Sequence, residues 1–328
     1  MERSEMKAIS IIKRSYRELS ILVLVFVIYT AVCIIQPRFF SPAAVINIFL
    51  FFPYLLLIAL GEMVEVISRN IDLSLGSILA FSGYIVCLIF IRNREFPILL
   101  AIIIAVGFGA FLGLINGLIV TNFKIPSVIV TLGTMGIFRG TIFIIGGKQI
   151  DNYLIPKALI RLSQPKESVI NVPYSVLIAL GLAFLVSLFL RNHRLGREIY
   201  TAGSNPYAAE LRGIRNKKIT LFVFAFAGGI SGLASMIFLS RVGYLDPGTA
   251  GKGLEFIAIA SVVIGGCSMN GGIGTTLGTV IGCLLLGVIN NAISITGVSV
   301  LWQEAVYGLI IIASIVIDNA LKKRLGKA

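Results

Sequence analysis

Apolar runs of membrane-spanning length recur from one end of the sequence to the other. A hydrocarbon core about 30 Å thick needs about 20 helical residues. Ten runs approach that length, at 19–36, 43–67, 73–91, 97–121, 126–146, 173–190, 219–240, 254–270, 274–298 and 301–317. They predict an all-α, polytopic transmembrane helical bundle of about ten spans, formed by a single domain over 1–328. Eight spans remain if the weakest runs, 73–91 and 254–270, are re-entrant.

The composition excludes two other classes of protein. Hydrophobic residues make up 57% of the chain and charged residues only 13%, about half the roughly 25% of a soluble domain. Too little polar surface is present for a water-soluble globule, and the chain is too apolar for disorder. In a soluble protein, the net charge of +13 would suggest binding of nucleic acid. In a membrane protein, Lys and Arg collect in cytoplasmic loops, so the charge indicates topology and no nucleic-acid partner is predicted.

The positive charges predict an orientation. If the N-terminus is cytoplasmic, the inner segments of a ten-span topology hold 18 of the 28 Lys and Arg, and the outer segments hold 9. Positive residues accumulate on the cytoplasmic side of membrane proteins. Both termini are therefore expected in the cytoplasm, with 1–18 as a cytoplasmic tail and 191–218 as a long cytoplasmic loop.

An internal repeat is visible in one short motif. Leu-Gly-Leu-Ile-Asn-Gly at 112–117 recurs as Leu-Gly-Val-Ile-Asn-Asn at 286–291, an offset of 174 residues. The same shift carries predicted spans two to five near spans seven to ten, so the members of each pair are five spans apart. An odd separation predicts halves that are inverted in the membrane, as in many transport proteins; the alternative is chance similarity between apolar helices.

Small residues recur at helical spacing near the C-terminal runs. Gly274, Gly278 and Gly282 are four residues apart and share one helix face. Such a face predicts close packing of two helices, because small residues let backbones approach. A path for a solute is the alternative.

Charged residues within apolar runs are expensive and therefore informative. Glu62 and Glu65 share a helix face near the inner end of the second run, where we expect their side chains to reach the interface. Asp72 precedes the third run, and with Ser74 it predicts a helix cap. Arg139 is expected near the outer surface. The absence of a chain of buried acids disfavours an ion-coupled carrier but leaves it as an alternative.

The loop at 191–218 carries seven basic residues. Within it, Asn205 as cap and Pro206 in the first turn predict a short helix that Gly213 ends. The segment is either a structured loop whose charges set topology or a helix that docks into a groove of a soluble partner.

No energy source or catalytic motif is encoded. The sequence lacks G-x-x-x-x-G-K-[ST], H-E-x-x-H and G-x-S-x-G, and its only histidine is His193. Its four cysteines, Cys33, Cys87, Cys267 and Cys283, lie in apolar runs and form no C-x-x-C. We therefore expect no catalytic residue, metal or cofactor in this chain.

Several motifs, in order along nearly the whole chain, resemble the ribose-type permeases of ABC importers. They are Ser-Arg-Asn-Ile-Asp-Leu-Ser-Leu-Gly-Ser at 68–77, Gly-Leu-Ile-Asn-Gly at 113–117, Lys-Ile-Pro-Ser at 124–127, and the stretches 131–140, 196–214 and 254–274. Arg69-Asn70 stands where the family pattern has Gly-Gly. Together with the motifs at 124–126 and 146–150, this departure makes the sequence resemble most the permeases that import autoinducer-2. Rhamnose and pentose permeases are the alternatives.

The resemblance implies a division of labour in the cytoplasmic (inner) membrane. Two separate ATPase subunits would use ATP and dock on 191–218. A second permease, either an identical or a sister chain, would complete the pore. An extracytoplasmic binding protein would deliver the solute. A pair of different permeases is favoured. The expected coupling residues are Gly196, Arg197, Ala202, Gly203, Asn205, Ala208, Ala209 and Gly213. The candidates for the translocation path are Asp72, Asn116, Thr131, Thr134 and Asn290.

Overall fold

The computed structural model describes residues 2–165 and 172–296 and five single positions beyond them, with side chains described from residue 18 onward. The helices are α1 Glu2–Ile35, α2 Pro42–Ile67, α3 Leu75–Arg92, α4 Ile98–Phe123, α5 Ser127–Ile145, α6 Lys157–Ile160, α7 Tyr174–Asn192, α8 Arg194–Ser204, α9 Pro206–Leu211, α10 Asn216–Val242, α11 Leu254–Ile264 and α12 Thr276–Ile295. Short 3₁₀ turns lie at Pro37–Phe39, Asn152–Leu154 and Arg161–Ser163. The described part contains no β-strand, so the predicted all-α class is confirmed.

Eight described helices are long and apolar enough to cross a membrane, namely α1, α2, α3, α4, α5, α7, α10 and α12. The chain is therefore a multi-pass membrane protein. Of the two weakest predicted runs, 73–91 forms the 18-residue α3, whereas 254–270 forms α11, which has 11 residues and at about 16 Å is too short to cross. It ends at Gly265, followed by Gly266 with φ 98°. The predicted span at 301–317 lies largely outside the described residues.

Helix α2 forms the centre of the bundle. It begins where the Ser41 side chain accepts a hydrogen bond from the Ala44 N–H at 3.2 Å and Pro42 presets the first turn. Every side chain from Leu55 to Leu60 is fully buried. Because α2 is enclosed by α7, α10, α11 and α12, its polar residues lie inside the protein rather than in lipid.

Helices α2 and α10 run antiparallel. The rings of Tyr54 and Phe238 are 5.5 Å apart, and the Arg241 guanidinium donates to the Tyr54 hydroxyl at 2.9 Å. Further along α2, Gly61 lies against Ala227. Residue numbers therefore rise along α2 as they fall along the facing α10.

The helix boundaries repeat with the offset of 174 that the sequence indicated. Shifting α2 by 174 gives 216–241, and α10 is Asn216–Val242. The shifted α3 and α4, at 249–266 and 272–297, contain α11 and α12. Since α2 and α10 are antiparallel, the two halves are inverted relative to each other.

The repeat extends to the connections. Arg69 and Gly243, which are 174 residues apart, both have left-handed backbone angles, with φ of 67° and 75°. Asp72 and Asp246 have the same separation. Each carboxylate accepts the backbone N–H two residues later, from Ser74 at 2.7 Å and from Gly248 at 3.1 Å. Equivalent turns therefore precede α3 and α11.

Glycines bring helices into backbone contact, as the spacing predicted. Gly109 and Gly113 of α4 pack on Gly228 of α10 so closely that added Cβ atoms would collide with backbone. Of the three glycines predicted to share a helix face, Gly278 and Gly282 pack in the same way on Gly265 and Ser261, whereas Gly274 precedes α12. The first contact joins the two inverted halves, and the second lies within the second half.

Candidate transport site and coupling helices

The segment 68–74, between α2 and α3, is not helical and runs along α5. The Ile71 N–H donates to the Ser127 hydroxyl at 3.0 Å, and the Leu73 N–H donates to Thr131 Oγ1 at 3.1 Å. A buried backbone needs such partners, because unpaired peptide groups are costly away from water. Side chains of α5 therefore replace a helical ladder along this segment.

Asp72 is the polar centre of this segment and is fully buried. One carboxylate oxygen accepts both the N–H and the hydroxyl of Ser74, at 2.7 and 2.6 Å, and the other accepts the Asn116 side-chain amide at 3.3 Å. The amide also donates to the Ser74 hydroxyl at 2.8 Å. Burial raises the pKa of Asp72 to about 6, whereas the hydrogen bonds from Ser74 and Asn116 lower it.

The structure brings most of the predicted path residues together. Asp72 and Asn116 are hydrogen-bonded, and Thr131 accepts from the same segment. Thr134, also buried, lies one turn further along α5 and donates to the Thr131 carbonyl at 3.3 Å. These four polar residues come from three elements that meet beside α3.

The fifth predicted path residue lies elsewhere. Asn290 is half-buried on α12, and its carbonyl accepts from Ser294 at 3.0 Å. Its neighbour Asn291 is buried and donates to the Ala44 carbonyl of α2 at 2.9 Å. The sequence analysis did not select Asn291, although the repeat motif contains both Asn290 and Asn291 and either could have been the buried one.

Glu62 and Glu65 correct another expectation. Their side chains do not reach the interface, because both are 0% exposed inside the enclosed α2. All four carboxylate oxygens lack a hydrogen-bond partner among the described residues. An unpaired polar group in such a place is energetically costly.

A second non-helical segment, 243–253, precedes α11 and dips toward the first. The half-buried Arg139 of α5 holds it by donating to the Pro247 carbonyl at 2.9 Å and the Ala250 carbonyl at 3.1 Å. At its inner end Gly251 meets Gly76 of α3, where a Cβ on either glycine would collide with the other's carbonyl. The second segment therefore contacts the first turn of α3, directly after the first segment.

The basic loop at 191–218 folds into two short helices. The predicted helix is present as α9, because the Asn205 side chain accepts the Ala208 N–H at 3.0 Å and Gly213 follows with φ 79°. The preceding α8 was not predicted. The apolar residues Leu195, Ile199 and Ala202 at helical spacing were the available signal. His193, the only histidine, caps α8 by accepting the Leu195 N–H at 3.2 Å.

The predicted coupling residues divide between a buried and an open side of α8 and α9. The buried members are Gly196, Ala202, Gly203 and Ala209. Arg197 is exposed and donates to the Asn192 carbonyl at 2.9 Å, and Ala208 is half-buried. Two apolar side chains on α9, Tyr207 and Leu211, are each 73% exposed. The helix pair therefore presents an open apolar surface beside a basic stretch.

The helices and their buried polar segments define a multi-pass membrane protein with a polar interior. A family model described as "Branched-chain amino acid transport system / permease component" matches residues 44–315. The chain belongs to this permease family, and the resemblance seen in the motifs is confirmed at that level.

Two curated relatives match over almost the full chain. The ribose import permease protein RbsC of Haemophilus influenzae is 36% identical over 311 residues, which cover 94% of this chain and 93% of that protein. The autoinducer 2 import system permease protein LsrC of Yersinia pseudotuberculosis is 32% identical over 309 residues, covering 93% and 86%. No solved structure matches the chain.

Proposed function

We propose that this chain is the membrane-embedded permease subunit of an ABC importer for a sugar or sugar-like solute. The relatives named for ribose and for autoinducer 2 support this solute class. Within it we favour autoinducer-2, on the basis of Arg69-Asn70 and the neighbouring motifs. Rhamnose, ribose or another pentose or hexose is the alternative. The chain acts as a transport subunit of the inner membrane, with no catalytic site, metal or cofactor of its own.

One observation carries the proposed coupling to a separate ATPase. The helix α9 is capped at Asn205 and exposes Tyr207 and Leu211 four residues apart, next to basic residues of α8 and α10. An exposed apolar pair on a well-delimited helix fits a groove in a soluble partner. We propose that two ATPase subunits dock here, one on each of two permeases, and that they use ATP to shift the pore between its facing states.

The proposed path uses the polar residues beside α3. Asp72, Asn116, Thr131 and Thr134 would contact the solute as segment 243–253 separates from the start of α3. Asn290 would lie along the same path in the other half. A second permease, most closely a sister chain, completes the pore. An extracytoplasmic binding protein delivers the solute and supplies the selectivity.

The decisive experiment is affinity purification of the chain from its native membrane, with co-purifying proteins identified by mass spectrometry. We expect an ATPase with a P-loop, a second permease and a secreted binding protein. The binding protein, tested with autoinducer-2, ribose and rhamnose, then identifies the solute. If the chain is recovered alone and an ion gradient drives solute transport by it in liposomes, the proposal fails. Glu62, Glu65 and Asp72 then become the candidates for coupling the ion to the solute.

Substitutions on α8 test the docking role. Gly203→Trp and Arg197→Glu should each reduce co-purification of the ATPase at least tenfold, because the first displaces α8 and the second reverses a charge on its open side. Gly181→Trp is the matched control, because Gly181 on α7 faces open space. If both α8 variants retain the ATPase at wild-type levels, this surface is not the docking site.

A further inference from the structure

Three elements meet where α2 ends, at a cluster that we call the Arg69 junction. It comprises Ile67, Arg69, Gly203, Ser204, Asn270, Gly271 and Gly272. The Gly272 N–H donates to the Ile67 carbonyl at 2.8 Å. Gly203, near the end of α8, lies against the same carbonyl so closely that a Cβ would collide with it. The end of α8 therefore contacts both the end of α2 and the loop between α11 and α12.

Arg69 ties these elements together with its side chain. Its Nε donates to the Asn270 carbonyl at 2.6 Å, and its Nη2 donates to the Ser204 carbonyl at 3.3 Å. The aliphatic stem crosses Gly271, where a Cβ would collide with Arg69 Cγ. One planar guanidinium thus binds two carbonyls from two elements, a geometry that a lysine cannot reproduce with the same fixed fork.

The same residue begins the segment that carries Asp72. From Arg69 the chain continues without helix to Ser74, and the segment is held by the bonds of Ile71 to Ser127 and of Leu73 to Thr131. Asp72 then joins it to Asn116 of α4. The side-chain bonds of Arg69, the backbone of 69–74 and the bonds of that segment therefore connect the end of α8 to α4 and α5.

We propose that Arg69 is a positioning residue that links the ATPase-docking helix α8 to the segment 68–74. When a bound ATPase displaces α8, the guanidinium draws the segment with it and changes the contacts of Asp72 and Thr131. This inference rests on the proposed function, because it takes α8 to be displaced by an ATPase. It adds a residue outside the predicted coupling set, at the position where the family pattern has glycine.

The backbone at Arg69 allows a sharp test. Its φ of 67° is one that glycine adopts without steric cost, so Arg69→Gly removes the guanidinium while relaxing the backbone. Lys124, with φ 54°, permits the same relaxation between α4 and α5, away from the junction. Lys124→Gly is therefore a matched control.

In the complex isolated with its ATPase and binding protein, we expect Arg69→Gly to retain the ATPase and to melt at or above the wild-type temperature. Solute transport per ATP hydrolysed should fall about tenfold, as expected when hydrogen bonds that couple two states are lost. Arg69→Lys should give an intermediate ratio, and Lys124→Gly the wild-type ratio. A wild-type transport ratio in Arg69→Gly would overturn the proposal.

A second measurement uses the chain without partners. Hydrogen exchange of the Ile71 and Leu73 amides should become about tenfold faster in Arg69→Gly and stay unchanged in Lys124→Gly, since the segment loses one of its anchors. Unchanged exchange in Arg69→Gly would show that the guanidinium does not hold the segment. If no ATPase accompanies the wild-type chain, the proposed function fails, whereas the exchange result still decides whether the tether exists.

Discussion

The two non-helical segments, 68–74 and 243–253, occupy equivalent places in the inverted repeat but are held in different ways. The first is held by side chains of its own half, from Asn116 and Thr131. The second is held by Arg139, which belongs to the other half of the repeat. The repeat thus sets the backbone path, while the side chains that fix it have diverged.

The central helices show the same divergence. Glu62 and Glu65 of α2 correspond, at the offset of 174, to Met236 and Leu239 of α10. All four side chains are buried, so the environment is apolar at both places and only the first half carries the acids. At these two positions the buried acids therefore lie only in the first half, which also contains four of the five candidate path residues.

The largest effect is expected where the second segment contacts the first turn of α3. Gly76→Ala should lower the free energy of unfolding by about 3 kcal/mol, because the new methyl group collides with the Gly251 carbonyl and the Glu255 carboxylate and neither can move far. Thermal melting of the purified protein in detergent measures the change. Gly133→Ala is the control, because Gly133 on α5 faces open space. Equal melting temperatures would mean that segment 243–253 does not pack against the start of α3.

The next largest effect on stability is expected when the two acids of α2 are replaced by the apolar residues found at the equivalent positions of α10. We expect Glu62→Met with Glu65→Leu to raise the free energy of unfolding by about 2 kcal/mol, because replacing unpaired buried acids by apolar groups of similar volume is often stabilising. Melting curves measure it, and the reverse change, Met236→Glu, should destabilise. Loss of stability in the double variant would show that the carboxylates have partners in the assembled transporter.

The fold was predictable to the extent that it depends on length and periodicity. Apolar runs located the long helices, and one six-residue motif indicated the offset that the helix boundaries follow. The exceptions have a physical cause. A window of apolar residues does not reveal that Gly265 and Gly266 stop α11 after 11 residues, because glycines in other spans, such as Gly109, continue a helix.

The candidate site was predictable in part. Asn205, Pro206 and Gly213 specify α9 locally, since caps and breakers act over a few residues. The contacts of Arg69 with Ser204 and Asn270 span 135 and 201 residues of sequence, and nothing near Arg69 in the sequence indicates them. Burial of Glu62 likewise depends on which helices surround α2, which only the packing determines.

The smallest effect is the difference, about 1 kcal/mol, between variants of the two equivalent aspartates, and it tests how far their roles have diverged. Asp72→Ala should lower the free energy of unfolding by about 2 kcal/mol, because the buried donors of Ser74 and Asn116 lose their acceptor. Asp246→Ala should cost only about 1 kcal/mol, as for a typical helix cap, since Asp246 is half-buried and accepts from Gly248 and Thr249. Denaturant titration of both variants measures the difference. Asp72→Asn keeps one acceptor oxygen, so its loss of stability should lie between those of Asp72→Ala and Asp246→Ala.

If both alanine variants lose the same stability, the two turns remain equivalent despite their different surroundings. If Asp72→Ala retains wild-type stability but abolishes transport, its carboxylate serves the solute path rather than the fold.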